Sequence, residues 1–502
     1  MKDAIAVIDI GMTNKKVAIY DENLKQLEAR YQTFDPVPVK NCQTHDLAAM
    51  ESWFIDELRQ TAAMYPIRAI TISTHGATFV CVGEDGMPSV PCVYYTHEPG
   101  DAFHNAFYAR FGNPETLQEE TGTPYFKALI NPAKGILFAQ EQFPEGFRRT
   151  KYILNYPQYW GYRFTGQIGA ENTYVGCHSY LWDWNRGTWS NVAKGLNITH
   201  LLPAELKHSW DVLGPISDSF AKATGLVPDT LVTMGIHDSN ASLLPHFAKK
   251  GQQGFVLNST GTWCVIMNPV EHYGFKKDEL GKVVFFNQSA FGTPVKTAIF
   301  LGGYEYETWY KLIQKLHRRQ DLPPYRSELY RSILAERKVF LLPELTTGSG
   351  QFPRSKPRIV EDGVAYSYHD IMAGKCVPPC FSDYEKAFAV LRISLVMQTL
   401  TALERTGLEP GQEVYTEGGF RKNEAYNSLL SAALQDNPLA LTDIAEATAF
   451  GAAMTAKMAL TGNSLEDLKN DFTVEYQQVP KASFPDLIPY REMWCTFAEK
   501  ED

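Results

Sequence analysis

The sequence predicts an α/β protein of two large domains facing each other across a cleft, and three observations carry that prediction. The chain has 502 residues, more than one ordinary hydrophobic core accommodates. Strand-like apolar runs alternate with helix-like stretches along most of its length. A strand–polar turn–strand unit near the start, AVIDIGMTNKKVAIYD at 6–21, returns near the midpoint as GFVLNSTGTWCVIMN at 254–268, with Gly11 and Gly261 standing 250 positions apart.

Composition narrows the function classes. Apolar residues make up 44% and charged residues 21%, ordinary proportions for a globular protein. Asp and Glu number 57 against 47 Lys and Arg, a formal charge of −10. With no Lys/Arg-rich block, a nucleic-acid partner is not expected. MKDA leads straight into a strand with no signal-like core, and no apolar run reads as long enough to span a bilayer, so no membrane partner is expected either. The eight cysteines are sparse. Cys376 and Cys380 of CVPPC lack a second Cys or His pair to complete a zinc site, and the cysteines read as plain thiols. A cytoplasmic enzyme fits these properties.

The elements follow in chain order. Ala6-Val7-Ile8 and Val17-Ala18-Ile19-Tyr20 read as the first two strands. A hairpin between them needs only Asn, Gly and Thr, and a plain turn with solvated lysines is the simpler local reading. An acid leaving one strand and a lysine entering the next is a more particular arrangement. Amides around Gly11 with Lys16 suit a phosphate, and Asp9 suits a metal or its water. MESWFIDELRQTAAMY (50–65) has helical spacing, AITIST (69–74) is a strand, and KYILNY (151–156) another. Residues 97–150 read as aromatic and loop-rich without periodicity. LWDWNRGTWS (181–190) sets three tryptophans around a turn, as packing residues or a lid.

In TLVTMGIHDSNASLLPHF (230–247), Leu231 to Met234 form a strand, Gly235 breaks it, and a helix begins at Ala241. Asp238 then lies at a strand-to-helix junction, where catalytic groups of α/β folds stand. Asp is also a preferred helix N-cap, the stronger local reading, and a capping Asp can still present its carboxylate to a cleft. FAKKGQQ (247–253) has linker composition and divides the chain into 1–247 and 253–502. In EVYTEGGFRKNEAYN a strand exits through Gly418-Gly419 towards a helix near Asn423, a place where a ligand can approach the backbone. Pro438 to Leu441 form a strand. The small residues Ala445, Ala449, Gly451, Ala452 and Ala453 of the next helix allow tight packing.

Asp9-x-Gly11-x-Thr13-x-x-Lys16, Gly235-x-His237-Asp238, Ser259-Thr260-Gly261-Thr262 and Gly418-Gly419-x-x-x-Asn423 stand in one order. In that order and spacing the chain resembles the FGGY carbohydrate kinases of the actin-like ATPase superfamily, over nearly its whole length. FLLPELTTGSGQFPRSKPR (340–358) is similar to a loop of the family's second domain. The resemblance implies two ribonuclease-H-like domains, sugar bound mainly by the first and ATP mainly by the second. It implies transfer of the γ-phosphoryl group to a sugar hydroxyl, with magnesium. Carried over, Asp238 is the general base; Asp9 organises magnesium; Thr13 and Lys16 face the transferring phosphate. Gly11, Gly261 and Thr262 bind nucleotide phosphates, and Gly418, Gly419 and Asn423 the adenosine. His75, Gly76, Ala77 and His237 are candidates for the sugar site. Met12 stands where relatives usually have a hydroxyl residue. Thr96, His97 and Glu98 stand where relatives often carry an acid and an arginine, so that assignment does not carry over. A ketopentose or 6-deoxyketohexose (xylulose, ribulose, rhamnulose or fuculose) is the expected acceptor, ahead of glycerol, and a homodimer is the family-level expectation. A superfamily ATPase without a sugar acceptor and an inactive sugar sensor are the alternatives.

Overall fold

The computed structural model describes residues 3–444 and 446–500, so Ala445 lies outside the described residues. In the first half, β1 (Ala4–Ile10) and β2 (Asn14–Asp21) form the antiparallel hairpin around the Gly11 turn, and β3 (Gln26–Thr33) continues it. The helix α1 (Leu47–Ala62) follows, started by Asp46, whose side chain accepts the Ala49 amide. Next comes β4 (Ile67–Thr74), which pairs parallel with β1. Later strands β5 (Val212–Pro215), β6 (Leu231–Thr233) and the two-residue β7 (Ile236–His237) complete a sheet of order β5-β6-β4-β1-β2-β3, with β7 also on β4. β1 is almost wholly apolar and buried on both faces, as a central strand covered on two sides requires. The half ends in α2 (Asp238–Ala241) and α3 (Leu244–Lys250).

The second half repeats the plan. β8 (Phe255–Thr260) and β9 (Cys264–Pro269) form the hairpin around Gly261. β10 (Val284–Gln288) and β11 (Pro294–Phe300) extend it antiparallel, and α4 (Gly302–His317) leaves the end of β11. After α5 (Tyr384–Arg405), β12 (Glu413–Gly418) pairs parallel with β8. Then come α6 (Glu424–Ala433), β13 (Leu439–Thr442), α7 (Ala447–Thr461) and β14 (Tyr476–Gln478). The sheet order is β10-β11-β9-β8-β12-β13-β14. Each sheet therefore has antiparallel strands on one side of its first strand and a parallel neighbour on the other, the arrangement expected of ribonuclease-H-like domains. The registers match too: Ile10 pairs with Thr74, and Thr260 with Gly418.

The facing sides of the two sheets share one core. Ile5, Val7 and Ala18 of the first sheet and Leu257, Met267 and Tyr415 of the second pack with Leu244, Phe247, Ala449, Ala452 and Ala453 from α3 and α7. The small residues of α7 permit a very close crossing with α2: a Cβ on Gly451 would lie 1.9 Å from the Ala241 carbonyl oxygen. Thr71 on β4 and Thr455 on α7 share a hydrogen bond of 3.1 Å inside this core. The segment 340–358 is tied by two buried acids. Glu344 accepts the amides of Ser349 (2.9 Å) and Phe352 (3.0 Å), while Glu305 on α4 accepts those of Glu344 (2.8 Å) and Leu345 (3.1 Å). Burial and the neighbouring Glu305 push the Glu344 carboxyl up to about 7.

The structure corrects several sequence expectations. Residues 97–150 are largely helical, with helices at Asp101–Phe111, Pro114–Thr121, Pro132–Gln142 and Pro144–Phe147. They hid because they are short and poorly patterned: Pro132 to Ala139 are all buried, which erases the polar face that periodicity needs. The α5 helix is long and apolar enough to cross a membrane by length and composition, contrary to the expectation that no run reaches that length. It lies inside the second half, with 94% of its apolar window buried. Of the polar stretch 247–253, α3 takes the residues as far as Lys250, and the rest lies between α3 and β8. The tryptophans of 181–190 pack: Trp182 meets Trp189 edge-on at 5.8 Å, and Trp184 stacks on Tyr273 at 4.8 Å.

Candidate active site

A cavity of about 210 Å³ lies between the two sheets. Four of the residues singled out for the sugar site line it, namely His75, Gly76, Ala77 and His237, and Asp238 lines it with them. The parallel β4 delivers the first three: the chain leaves the sheet after Thr74, next to the Gly11 turn, and Ala77 takes the left-handed conformation (φ 70°) that turns it away. The wall opposite comes from the second half, through Trp263 and Val265 of the β8–β9 hairpin, Phe285 and Asn287 on β10, and Ile299 on β11. Tyr95, Phe126, Ile130 and His178, supplied by loops of the first half, close the rest.

Asp238 is the first residue of α2, not its cap. The cap position belongs to His237, and one Asp238 oxygen accepts the next amide, that of Ser239, at 2.6 Å. The side chain keeps 28% of its surface open, towards the cavity. Burial and then the charge of Asp9 push its carboxyl up to about 7. His237 is fixed by its amide donating to Thr173 Oγ1 (3.0 Å) and by Nδ1 against the Asn240 amide nitrogen (3.3 Å), and its Nε2 lies 3.3 Å from Asp238 Oδ1. Burial lowers the His237 and His75 imidazoles to about 4, so both are neutral near pH 7. Three buried polar atoms of the lining have no partner, His75 Nε2, His178 Nδ1 and Asn287 Oδ1. Such atoms cost free energy unless a bound group satisfies them.

At the first turn the structure departs from expectation. Lys16 is buried, 3.0 Å from Asp9 and in contact with the Glu446 carboxylate at the start of α7. Its charge is matched by two acids and is not open to a phosphate. Thr448 Oγ1 adds a hydrogen bond of 3.0 Å to Asp9. Asp9 thus joins the two halves, with hard oxygen donors beside it. Thr13 is exposed at the turn and Gly11 half-buried. Sequence reasoning passed over Lys15, on the other face of β2. It is buried with its Nζ 2.9 Å from the Met12 carbonyl oxygen, and burial lowers it to about 8.

The second set of predicted residues gathers around the β8–β9 turn. Gly261 and Thr262 are exposed there. The N-terminus of α4 is pressed against them: a Cβ on Gly303 would lie 2.0 Å from the Gly261 carbonyl oxygen. Gly302-Gly303, unnoticed in the sequence, is what allows a helix start and a phosphate-type turn to meet. Gly418 does something different from what was expected. It has φ 78°, and a Cβ there would lie 2.0 Å from the Thr260 carbonyl oxygen, so it serves the junction of β8 and β12. Gly419 and Asn423 line a neighbouring cavity of about 330 Å³ with Tyr306, Tyr325, Arg392 and Phe420. Asn423 there is also the α6 cap, its side-chain oxygen accepting the Tyr426 amide at 3.2 Å.

Comparison with known proteins bears on the fold that carries these residues. Residues 4–245 match the FGGY family of carbohydrate kinases, N-terminal domain, and residues 252–464 match carbohydrate kinase FGGY, C-terminal domain. No curated protein matches the chain in sequence. Among solved structures, a carbohydrate kinase from Novosphingobium aromaticivorans aligns with TM-score 0.78 at 24% identity, over 99% of this chain and 98% of that one. A ligand-bound xylulose kinase from Lactobacillus acidophilus aligns with TM-score 0.78 at 15% identity, over 99% and 97%. Plasmodium falciparum glycerol kinase with ADP aligns with TM-score 0.77 at 17% identity, over 99% and 98%.

Proposed function

The chain belongs to the FGGY family of carbohydrate kinases, and from that premise we propose that it transfers the γ-phosphoryl group of ATP to a hydroxyl of a small uncharged sugar. The acceptor sits in the cavity holding His75 and Asp238, and ATP lies along Gly261, Thr262 and Gly419. Residues 1–247 supply the base and most of the acceptor site, and residues 253–502 the nucleotide site. The single observation behind the reading is that Asp238 opens into a cavity walled by both halves. An aspartate at that point can take the hydroxyl proton as the phosphoryl group arrives, and a carboxyl raised by burial is a better base than a solvated one.

The acceptor class follows from the lining. Among the described residues around the cavity there is no lysine or arginine, and the imidazoles at 75 and 237 are neutral. A sugar acid would leave its charge unmatched, which favours a neutral ketose or polyol. His75 Nε2 and Asn287 Oδ1 would pair with its hydroxyls, and Phe126, Ile130, Phe285 and Ile299 would cover its carbon face. Xylulose, ribulose, rhamnulose and fuculose are the first candidates.

Asp9, with Glu446 nearby, offers the hard carboxylate oxygens that suit magnesium. Magnesium bound there would neutralise charge on the phosphates. This chain's residues do the remainder: amides of the 261–262 turn and the α4 start hold phosphate oxygens, Thr13 faces them from the first half, and Asp238 takes the proton. Closure of the halves would exclude water and limit hydrolysis of ATP. We place the reaction in the cytoplasm, where ATP is supplied.

ADP release measured across a panel of ketoses, aldoses, polyols and sugar acids tests the proposal. Release that requires a neutral sugar is the expected result. Release without any sugar identifies an ATPase instead, and sugar binding without release a sensor.

A further inference from the structure

Three ligand-type atoms converge on the floor of the cavity, and two of them, from Cys177 and His178, have no role in phosphoryl transfer. Cys177, His178 and His237 present one sulfur and two ring nitrogens that all lie within 4.8 Å of one another. Cys177 Sγ is 3.9 Å from His237 Nε2. Both imidazoles point their Nε2 at the same place over Gly76: a Cβ there would lie 2.9 Å from His237 Nε2 and 3.0 Å from His178 Nε2. Only glycine leaves this space free. His178 is held at φ 36°, a left-handed conformation costly for a non-glycine residue, and strain of that kind collects at binding sites.

We propose that Cys177, His178 and His237 form a site for a borderline-soft divalent cation such as zinc, with its fourth coordination position open to the cavity. Zinc bonds of ~2.0–2.3 Å in a tetrahedron set ligand atoms roughly 3.4–3.6 Å apart, so the side chains need close by no more than roughly 1.4 Å. One thiolate and two imidazoles are a zinc set and a poor magnesium set, which separates this site from the oxygen donors around Asp9.

The surroundings suit the ligating forms of the two histidines and oppose the thiolate. A His237 that ligates through Nε2 must carry its proton on Nδ1 and donate it. Asn240 stands at that nitrogen, 3.3 Å away, with its Oδ1 buried and unpartnered. Turning the amide over gives Nδ1–H an acceptor, the outer-shell contact that orients metal-bound histidines. Burial keeps both rings neutral, lowering His178 to about 3 with help from His237. Burial and Asp238 hold Cys177 well above its usual range, so the empty site carries a thiol, and cation binding releases its proton to solvent. His237 Nε2 is also 3.3 Å from Asp238 Oδ1. A cation here stands against that carboxylate and occupies the floor of the cavity. If the cavity is the acceptor site of the proposed kinase, zinc and sugar compete for it.

The test is cobalt titration of the chelator-stripped full-length protein, read by absorbance and followed by displacement with zinc. Expected is one equivalent of cobalt giving a thiolate-to-cobalt charge-transfer band that zinc abolishes. The band should be lost in Cys177→Ser, with affinity lowered at least tenfold in His178→Gln. No band in the parent protein overturns the proposal without recourse to any variant that misfolds. A band that survives Cys177→Ser also overturns it, assigning the metal to another cysteine. Sugar-dependent ADP release by stripped protein is read separately, so the cation site and the kinase reading fail independently.

Discussion

The two halves of this chain make the same turn and give it different work. In each, a central strand ends in a glycine turn, and the parallel strand beside it ends level with that turn. In the first half the neighbouring exit is His75-Gly76-Ala77, among aromatic rings and imidazoles, in a cavity of about 210 Å³. In the second it is Gly418-Gly419-Phe420, beside a cavity of about 330 Å³ and the start of a 16-residue helix. The backbone plan supplies a strand end aimed at the cleft, and the side chains there decide what binds. The first half adds Asp238 at its strand-to-helix junction, where the second has Glu446, which reaches back to Lys16.

If the halves work against each other, the place where they cross should be the least tolerant. Gly451→Ala sets a methyl 1.9 Å from a backbone oxygen that cannot retreat without moving α2 and Asp238. It should cost about 3 kcal/mol or more of stability and most of the activity, checked by denaturant unfolding and turnover. A variant as stable and active as the parent would mean that this crossing does not fix the site.

The division of labour predicts a double dissociation. Gly419→Val should weaken ATP binding about tenfold, ~1.4 kcal/mol, and leave acceptor affinity close to parental. His75→Ala should do the reverse, raising the acceptor Kd by about tenfold and sparing ATP. Calorimetry with each ligand reads both. Equal losses of both ligands in either variant would break the assignment of one ligand to each half.

A separate effect, one that leaves both ligands untouched, lies away from the cleft. Burial and Glu305 raise Glu344 to about 7 from an ordinary 4.5, so its folded pKa exceeds its unfolded one. The stability it contributes is full below pH 4.5 and is lost as pH rises through 7, about 3 kcal/mol in all. Glu344→Gln should flatten the fall in Tm over that window. An unchanged slope in thermal melts would show that this carboxyl does not titrate there.

Much of the plan is legible in the sequence because its signals are local. Apolar runs broken by Asp9-Ile10-Gly11 and by Gly261-Thr262 mark both hairpins, and Gly235 ahead of Asp238 marks the junction. What escaped is what depends on distant partners. The pairing of Lys16 with Glu446 joins residues 430 positions apart, and nothing near Lys16 announces it. Gly418 reads as ligand approach until the Thr260 carbonyl oxygen is found behind it. Tyr95, His178 and Asn287 come from loops and an edge strand whose pattern says nothing of a cavity, and the helix Pro132–Gln142, buried from Pro132 to Ala139, has no polar face there to give it away.

The central claim is that the carboxylate at 238 takes the acceptor's proton from a nucleotide-facing cleft. The measurement closest to it is steady-state turnover and acceptor binding of Asp238→Asn, with the sugar that best drives ADP release. The account predicts kcat lower by about 10³-fold with the acceptor Kd nearly unchanged, since the amide keeps the shape and loses the base. Turnover near that of the parent would contradict it.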